Sequence, residues 1–175
     1  GLGDASAALW SAASWRSRDA AVTYVARDGR GYSRVTHTAR EIDVDRTQCV
    51  PLGDPVKISR LKLHNRSNRT RILTIAAYAE WVLSPSRQAS AAYITTEVDA
   101  ATGAVFARNP WSAAFGSRIS FADMGGRKQG WPFTRRECLG RNGTLVLPEA
   151  LRGTSALAKL EGAGLAPCRA MPMLL

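Results

Sequence analysis

The chain has 175 residues, 45% of them hydrophobic, and a formal charge of +10, with an isoelectric point near 10.4. That length and composition suit one domain with a real core, or a large piece of one. No apolar run is long enough to cross a bilayer. No signal peptide is expected either, since residues 1–14 are Ala- and Gly-rich, carry Asp4 and lack a basic leader.

The predicted elements are strands. Residues 21–27 (AVTYVAR) alternate Val22 and Tyr24 against Thr23 and Val25, the period of an extended chain. Asp28-Gly29-Arg30-Gly31 reads as a turn, and residues 32–38 resume the alternation. Over residues 41–50, Ile42 and Val44 take one face while Asp43 and Asp45 take the other. Residues 51–55 (PLGDP) form a dense turn cluster. Residues 56–65 (VKISRLKLHN) follow as a strand whose apolar set changes phase, from Val56 and Ile58 to Leu61 and Leu63. Such a change predicts a bulge near Ser59-Arg60, or burial on both faces. After a polar loop at 65–70, residues 71–83 (RILTIAAYAEWVL) make the longest predicted strand. Their Ile, Thr, Tyr, Trp and Val content outweighs the Ala-rich middle.

Residues 93–110 (YITTEVDAATGAVFARNP) give the clearest hairpin. Asp99 and Gly103 supply its turn chemistry, and Asn109-Pro110 ends the return strand, because proline has no N–H to give. A last strand is predicted at 117–122. Beyond residue 125 the pattern weakens. A short helix is expected within 149–157, and residues 148–175 read as an irregular tail leading out of the domain. Several short strands separated by turns indicate an all-β fold, an antiparallel β-sandwich or barrel with few helices.

The basic charge raises nucleic acid as a partner. Its arginines are scattered singly or in short groups such as 66–71 and 135–136, and no nucleic-acid-binding motif accompanies them. No nucleic-acid partner is therefore expected. Cys49, Cys138 and Cys168 are widely spaced, and His37 and His64 are the only histidines. No zinc site and no cofactor are expected, and isolated thiols fit a reducing compartment.

Few residues suggest catalysis. Asp43 and Asp45 would lie about 7 Å apart on one strand face, a spacing that suits an inverting glycosidase pair. An i,i+2 acidic pair on a strand is more often a solvated face, and that meaning is preferred. Glu97 and Asp99 are related in the same way, with Asp99 assigned to the turn. Glu80, inside an apolar stretch, is expected to have an Arg partner. No G-x-S-x-G elbow, Rossmann fingerprint or P-loop is present. Five tryptophans are more informative. Indole faces stack on the C–H faces of sugars, and neighbouring Arg, Asn and Asp bond hydroxyls. Trp81 is expected in the core. Trp111, after Arg108-Asn109-Pro110, and Trp131, after Arg127-Lys128-Gln129, are candidate sugar or domain-interface contacts.

Several segments together resemble one family. They are 19–24 with 31–34 (GYSR), 51–63 (PLGDPVKISRLKL), 77–83 (AYAEWVL), 96–109 (TEVDAATGAVFARN), 121–125 (FADMG), 136–143 (RECLGRNG) and 162–168 (GAGLAPC). These segments are similar to stretches of cyclic β-1,2-glucan synthases of the NdvB/ChvB type. The last also resembles a signature of the wider glycoside hydrolase family 94, the cellobiose-phosphorylase-like group. Cys138, Ala166 and Trp131-Pro132-Phe133 depart from the family pattern. The resemblance implies an antiparallel super-sandwich, similar to the galactose mutarotase-like fold, present here as an incomplete fragment. It implies a helical linker and an (α/α)6-barrel elsewhere in the same polypeptide, with the catalytic acid and phosphate-binding residues in the barrel. Residues 1–175 would then be one non-catalytic domain that packs on the barrel, shapes its glucan cleft and is open to homodimer contacts. Its candidate contact residues are Arg108, Asn109, Trp111, Trp131 and Arg136. The parent would sit at the cytoplasmic side of a bacterial inner membrane, while this domain alone would be soluble. Two other readings stand beside this one: an autonomous β-glucan-binding module, and a basic nucleic-acid binder.

Overall fold

Strand alternation builds the first half of the chain in the computed structural model, which describes residues 22–71, 73, 75–90, 92–125, 141 and 171–174. The chain divides into two compact units, Gly1–Ile72 and Leu73–Leu175. In the first unit, β1 (Val25–Gly29), β2 (Tyr32–Ala39), β3 (Ile42–Cys49) and β4 (Ile58–Asn65) form a four-stranded antiparallel meander in sequence order. The register pairs Ala26 with Val35, His37 with Val44, Ala39 with Ile42, and Val44 with Leu63. Side chains opposite one another share a face, so one face gathers Val35, His37, Ala39, Ile42, Val44, Leu61 and Leu63. Ala39, Ile42 and Val44 are buried there. Full burial of Ile42 is worth roughly 1.5–3 kcal/mol. The other face carries Arg34, Thr36, Thr38, Asp43, Asp45, Arg60 and Lys62.

The anticipated bulge is absent. Every residue from Ile58 to Asn65 has one partner on β3. The apolar set changes phase because Ile58, inside the ladder, faces away from the core, while Val56 lies before the strand. Ile58 is exposed, while Leu61 and Leu63 turn half-buried toward the core. The β1 strand also starts later than the pattern suggested, with residues 22–24 irregular before it. The β2–β3 hairpin has an unusual tip. Arg40 and Glu41 have φ of 52° and 62°, the left-handed region that tight hairpins normally fill with Asn-Gly. For residues with a Cβ this costs roughly 1–2 kcal/mol each.

In the second unit, β5 (Ala76–Ala79) pairs antiparallel with β9 (Met171–Leu174). The long strand predicted over 71–83 is thus reduced to four residues, because a ladder extends only as far as its partner. A strand also occurs inside the segment read as an irregular tail. The helix expected within 149–157 lies outside the described residues, and α1 (Arg87–Ser90) is a single turn. Strands β6 (Thr95–Val98), β7 (Val105–Arg108) and β8 (Ser120–Ala122) form a second meander. Its core is Ile94, Ala104, Val105 and Ala107, joined by buried Thr96. Among the described residues all strand pairing is antiparallel and helix is nearly absent, so the fold is all-β, as the alternation implied.

Candidate functional site

The β6–β7 hairpin owes its shape to one side chain. Asp99 Oδ2 accepts hydrogen bonds from the Thr102 amide at 2.9 Å and from the Thr102 hydroxyl. The Gly103 amide bonds back to the Asp99 carbonyl at 2.7 Å, with Gly103 at φ 68°. The Thr102 bonds hold the Asp99 carboxyl below its ordinary pKa. Asp99 therefore serves the turn, as its position suggested.

The return strand ends at Arg108, and the chain then enters a loop pinned from within. Asn109 is only 5% exposed. Its Nδ2 donates to the Leu83 carbonyl at 3.0 Å, and its Oδ1 accepts the Trp111 amide at 3.2 Å. The Ser112 amide reaches the Asn109 carbonyl, and the Gly116 amide reaches the Ser112 carbonyl. A Cβ on Gly116 would stand 2.8 Å from that same Ser112 oxygen, so the loop closes only with glycine there. On this frame Trp111 is held outward, 76% exposed. Its ring lies 5.3 Å from that of Tyr93, tilted by 39°, and Tyr93 is itself exposed. Phe115 is exposed as well, with the Arg118 guanidinium 5.2 Å over its ring.

The outer face of β6–β7–β8 adds Phe106 and Phe121, which are cross-strand partners. Arg108 approaches Glu97 at 3.7 Å. Thr95, Glu97, Phe106, Arg108 and Ile119 line a dent of about 10 Å³. That admits about one water molecule, so this face offers a surface and not an enclosed pocket. Flat rings beside a loosely paired guanidinium and carboxylate suit the mixed apolar and hydroxyl character of a saccharide, or a protein neighbour.

The structure thus brings Arg108 and Trp111 to one exposed edge, with Asn109 beneath them as the residue that positions Trp111. Trp131 and Arg136 lie outside the described residues. Tyr93 was not singled out from sequence as a contact. Its signal was parity, since Ile94 is buried and its neighbour must face the other way. Trp81 is half-buried, and Glu80 has the expected Arg partner, Arg87, at 3.0 Å.

The carboxylate pair of β3 lies beside a shallow depression of about 360 Å³ lined by Thr23, Val25, Thr36, Thr38, Asp43 and Asp45 among others. Both acids are engaged. Arg34 binds Asp45 through two bonds of 2.9 and 2.8 Å, and the Arg34 hydrogen bond holds the Asp45 carboxyl below its usual range. Asp43 accepts the Thr38 hydroxyl at 2.6 Å and lies 3.6 Å from Arg66. An inverting pair needs one acid of raised pKa, and Asp45 is shifted in the opposite direction. His37 is buried, stacked 4.4 Å from Tyr24, and neither ring nitrogen has a partner among the described residues. Burial lowers its pKa, which fits a neutral core histidine.

Comparison with known proteins agrees with this picture. The family described as "Glycosyl hydrolase 94, supersandwich domain" matches residues 3–174. The chain is 35% identical over 135 residues to the cyclic beta-(1,2)-glucan synthase NdvB of Rhizobium meliloti (strain 1021). That alignment covers 77% of this chain and 5% of the relative's length.

Proposed function

This chain belongs to the glycosyl hydrolase 94 supersandwich family, and from that premise we propose that it is a non-catalytic, carbohydrate-associated module of a cyclic β-1,2-glucan synthase-like protein. In this reading it packs on an (α/α)6-barrel catalytic domain of the same polypeptide and shapes that domain's glucan cleft. Trp111 and Tyr93 form the contact surface, Arg108 supplies polar groups, and Asn109 sets the position of Trp111. Trp131 and Arg136 are further contact candidates. Attachment to the inner membrane belongs to the parent polypeptide. Among the described residues no helix is long and apolar enough to cross a membrane.

One observation carries the reading. Trp111 is kept in water by a buried asparagine that spends both of its polar groups on the loop. Holding a large ring outward in a fixed pose forgoes its burial, and it lowers the ordering cost when a partner arrives. The engagement of Asp43 and Asp45 supports the non-catalytic part.

The test uses the purified chain with linear β-1,2-glucan and inorganic phosphate. Neither sugar phosphate nor reducing ends should accumulate above the rate without protein. Robust phosphate-dependent release would overturn the proposal. The same exposed ring pair also favours a second reading, an autonomous β-glucan-binding module. Titration calorimetry with β-1,2-oligosaccharides separates the two. Saturable binding that Trp111→Ala abolishes would support the autonomous module, whereas no binding by the isolated chain leaves the cleft-shaping role.

A further inference from the structure

The tip of the first unit's sheet carries more cationic groups than its own carboxylates satisfy. Arg66, Arg69 and Arg71 gather around Glu41 and Asp43, so three guanidinium groups stand against two carboxylates. Glu41 is shared by Arg71 at 3.4 Å and Arg69 at 3.8 Å, and Asp43 meets Arg66 at 3.6 Å. These are long separations, where a saturated charge-assisted pair sits near 2.7–2.9 Å. Arg71 also donates to the Arg40 carbonyl at 3.1 Å, while its buried Nε–H has no acceptor among the described residues.

Backbone strain points to the same place. The turn holds Arg40 and Glu41 in the left-handed region, where Asn-Gly would sit without strain. It is fixed there by Arg71 and by the Arg66 amide on the Glu41 carbonyl at 2.8 Å. An observed outlier of this kind supports a functional hypothesis for the tip, because only the side chains gain from the choice.

We propose that this tip is a binding site for a tetrahedral oxyanion of the phosphate or sulfate class, held by Arg66, Arg69 and Arg71. Arginine matches such oxygens bidentately and stays charged at any working pH. Three guanidinium groups against two carboxylates leave a surplus positive charge for such an anion. Glu41 is the incumbent acceptor, which the ligand displaces in part from Arg69 and Arg71. The site is independent of the glucan reading and lies in the other unit of the chain.

The experiment is a titration of the 175-residue chain, labelled with nitrogen-15, with inorganic phosphate, sulfate and sodium chloride at matched ionic strength. The arginine Nε–Hε resonances are followed. Matching matters because exposed charges are screened by salt. Phosphate and sulfate should shift the Arg71 resonance saturably, and chloride should not. Arg69→Gln removes an exposed guanidinium that meets the side chain of Glu41 at 3.8 Å, and should weaken phosphate about tenfold, near 1.4 kcal/mol. Glu41→Gln should tighten it several-fold, because the competing acceptor is gone. Equal shifts from chloride, unchanged affinity in Arg69→Gln, or weaker phosphate binding in Glu41→Gln would each overturn the proposal.

Discussion

The two meanders reach order by different routes. In the first unit, eight-residue strands run in an unbroken register from β2 through β4, and polar side chains pair across strands, as Arg34 does with Asp45 and Gln48 with Ser59. In the second unit β6 and β7 have only four residues each. There the polar side chains turn back onto the backbone, as Asp99 does in the hairpin and Asn109 in the following loop. A long ladder specifies itself through alternation. A short one needs side chains to fix its ends, and those fixed ends can hold exposed rings in place.

Core truncation should have the largest effect. Ile42→Ala in the first sheet and Ile94→Ala in the second each remove a fully buried side chain. Each should cost about 2–5 kcal/mol in denaturant unfolding. A loss below about 1 kcal/mol at Ile42 would mean that its sheet face is not a core. Next come the loop anchors. Asn109→Ala deletes two hydrogen bonds and leaves the Leu83 carbonyl unpaired, which should cost about 1–3 kcal/mol. Asp99→Ala should cost less, since its turn is exposed. If Asn109→Ala proves as mild as Asp99→Ala, the contrast drawn between a buried anchor and a surface turn fails.

Acid should divide the units as well. Burial depresses the His37 pKa below its ordinary 6.5. Below that value the unfolded chain takes a proton that the folded chain resists, so stability is full above it and falls as pH drops toward the folded-state value. His37→Phe should remove this step. Asp45 and Asp99 are depressed from 3.8. Their contribution is present above that value and is lost as pH falls through their folded-state values. A stability profile flat between pH 7 and 5 would contradict the state assigned to His37. Smallest of all, Arg34→Gln should leave stability nearly unchanged in denaturant unfolding, because exposed ion pairs contribute little.

Alternation made β2 and β3 legible in the sequence nearly to the residue, because Ile42 and Val44 against Asp43 and Asp45 admit one register. The phase slip at Val56 and Ile58 misled, since an apolar residue such as Ile58 can stand exposed on the outer face of an unbroken ladder. The 71–83 stretch failed for a related reason. Strand propensity reports what a segment can do, whereas β5 is as long as the partner found at Met171–Leu174, a pairing no local pattern announces. At the site, Trp111 and Arg108 were legible as exposed residues beside a proline. The opposite roles of neighbouring Asn109 and Trp111 were not, because burial of a polar side chain depends on Leu83, 26 positions away.

The role proposed for the Trp111 surface is tested most directly in the full-length parent polypeptide, by measuring kcat and KM for linear β-1,2-glucan with Trp111→Ala. Loss of a stacking contact worth about 1 kcal/mol should raise KM roughly fivefold, with kcat unchanged, the signature of lost uniform binding. An unaltered KM, or a collapse of kcat alone, would contradict the assignment of this ring to the glucan cleft.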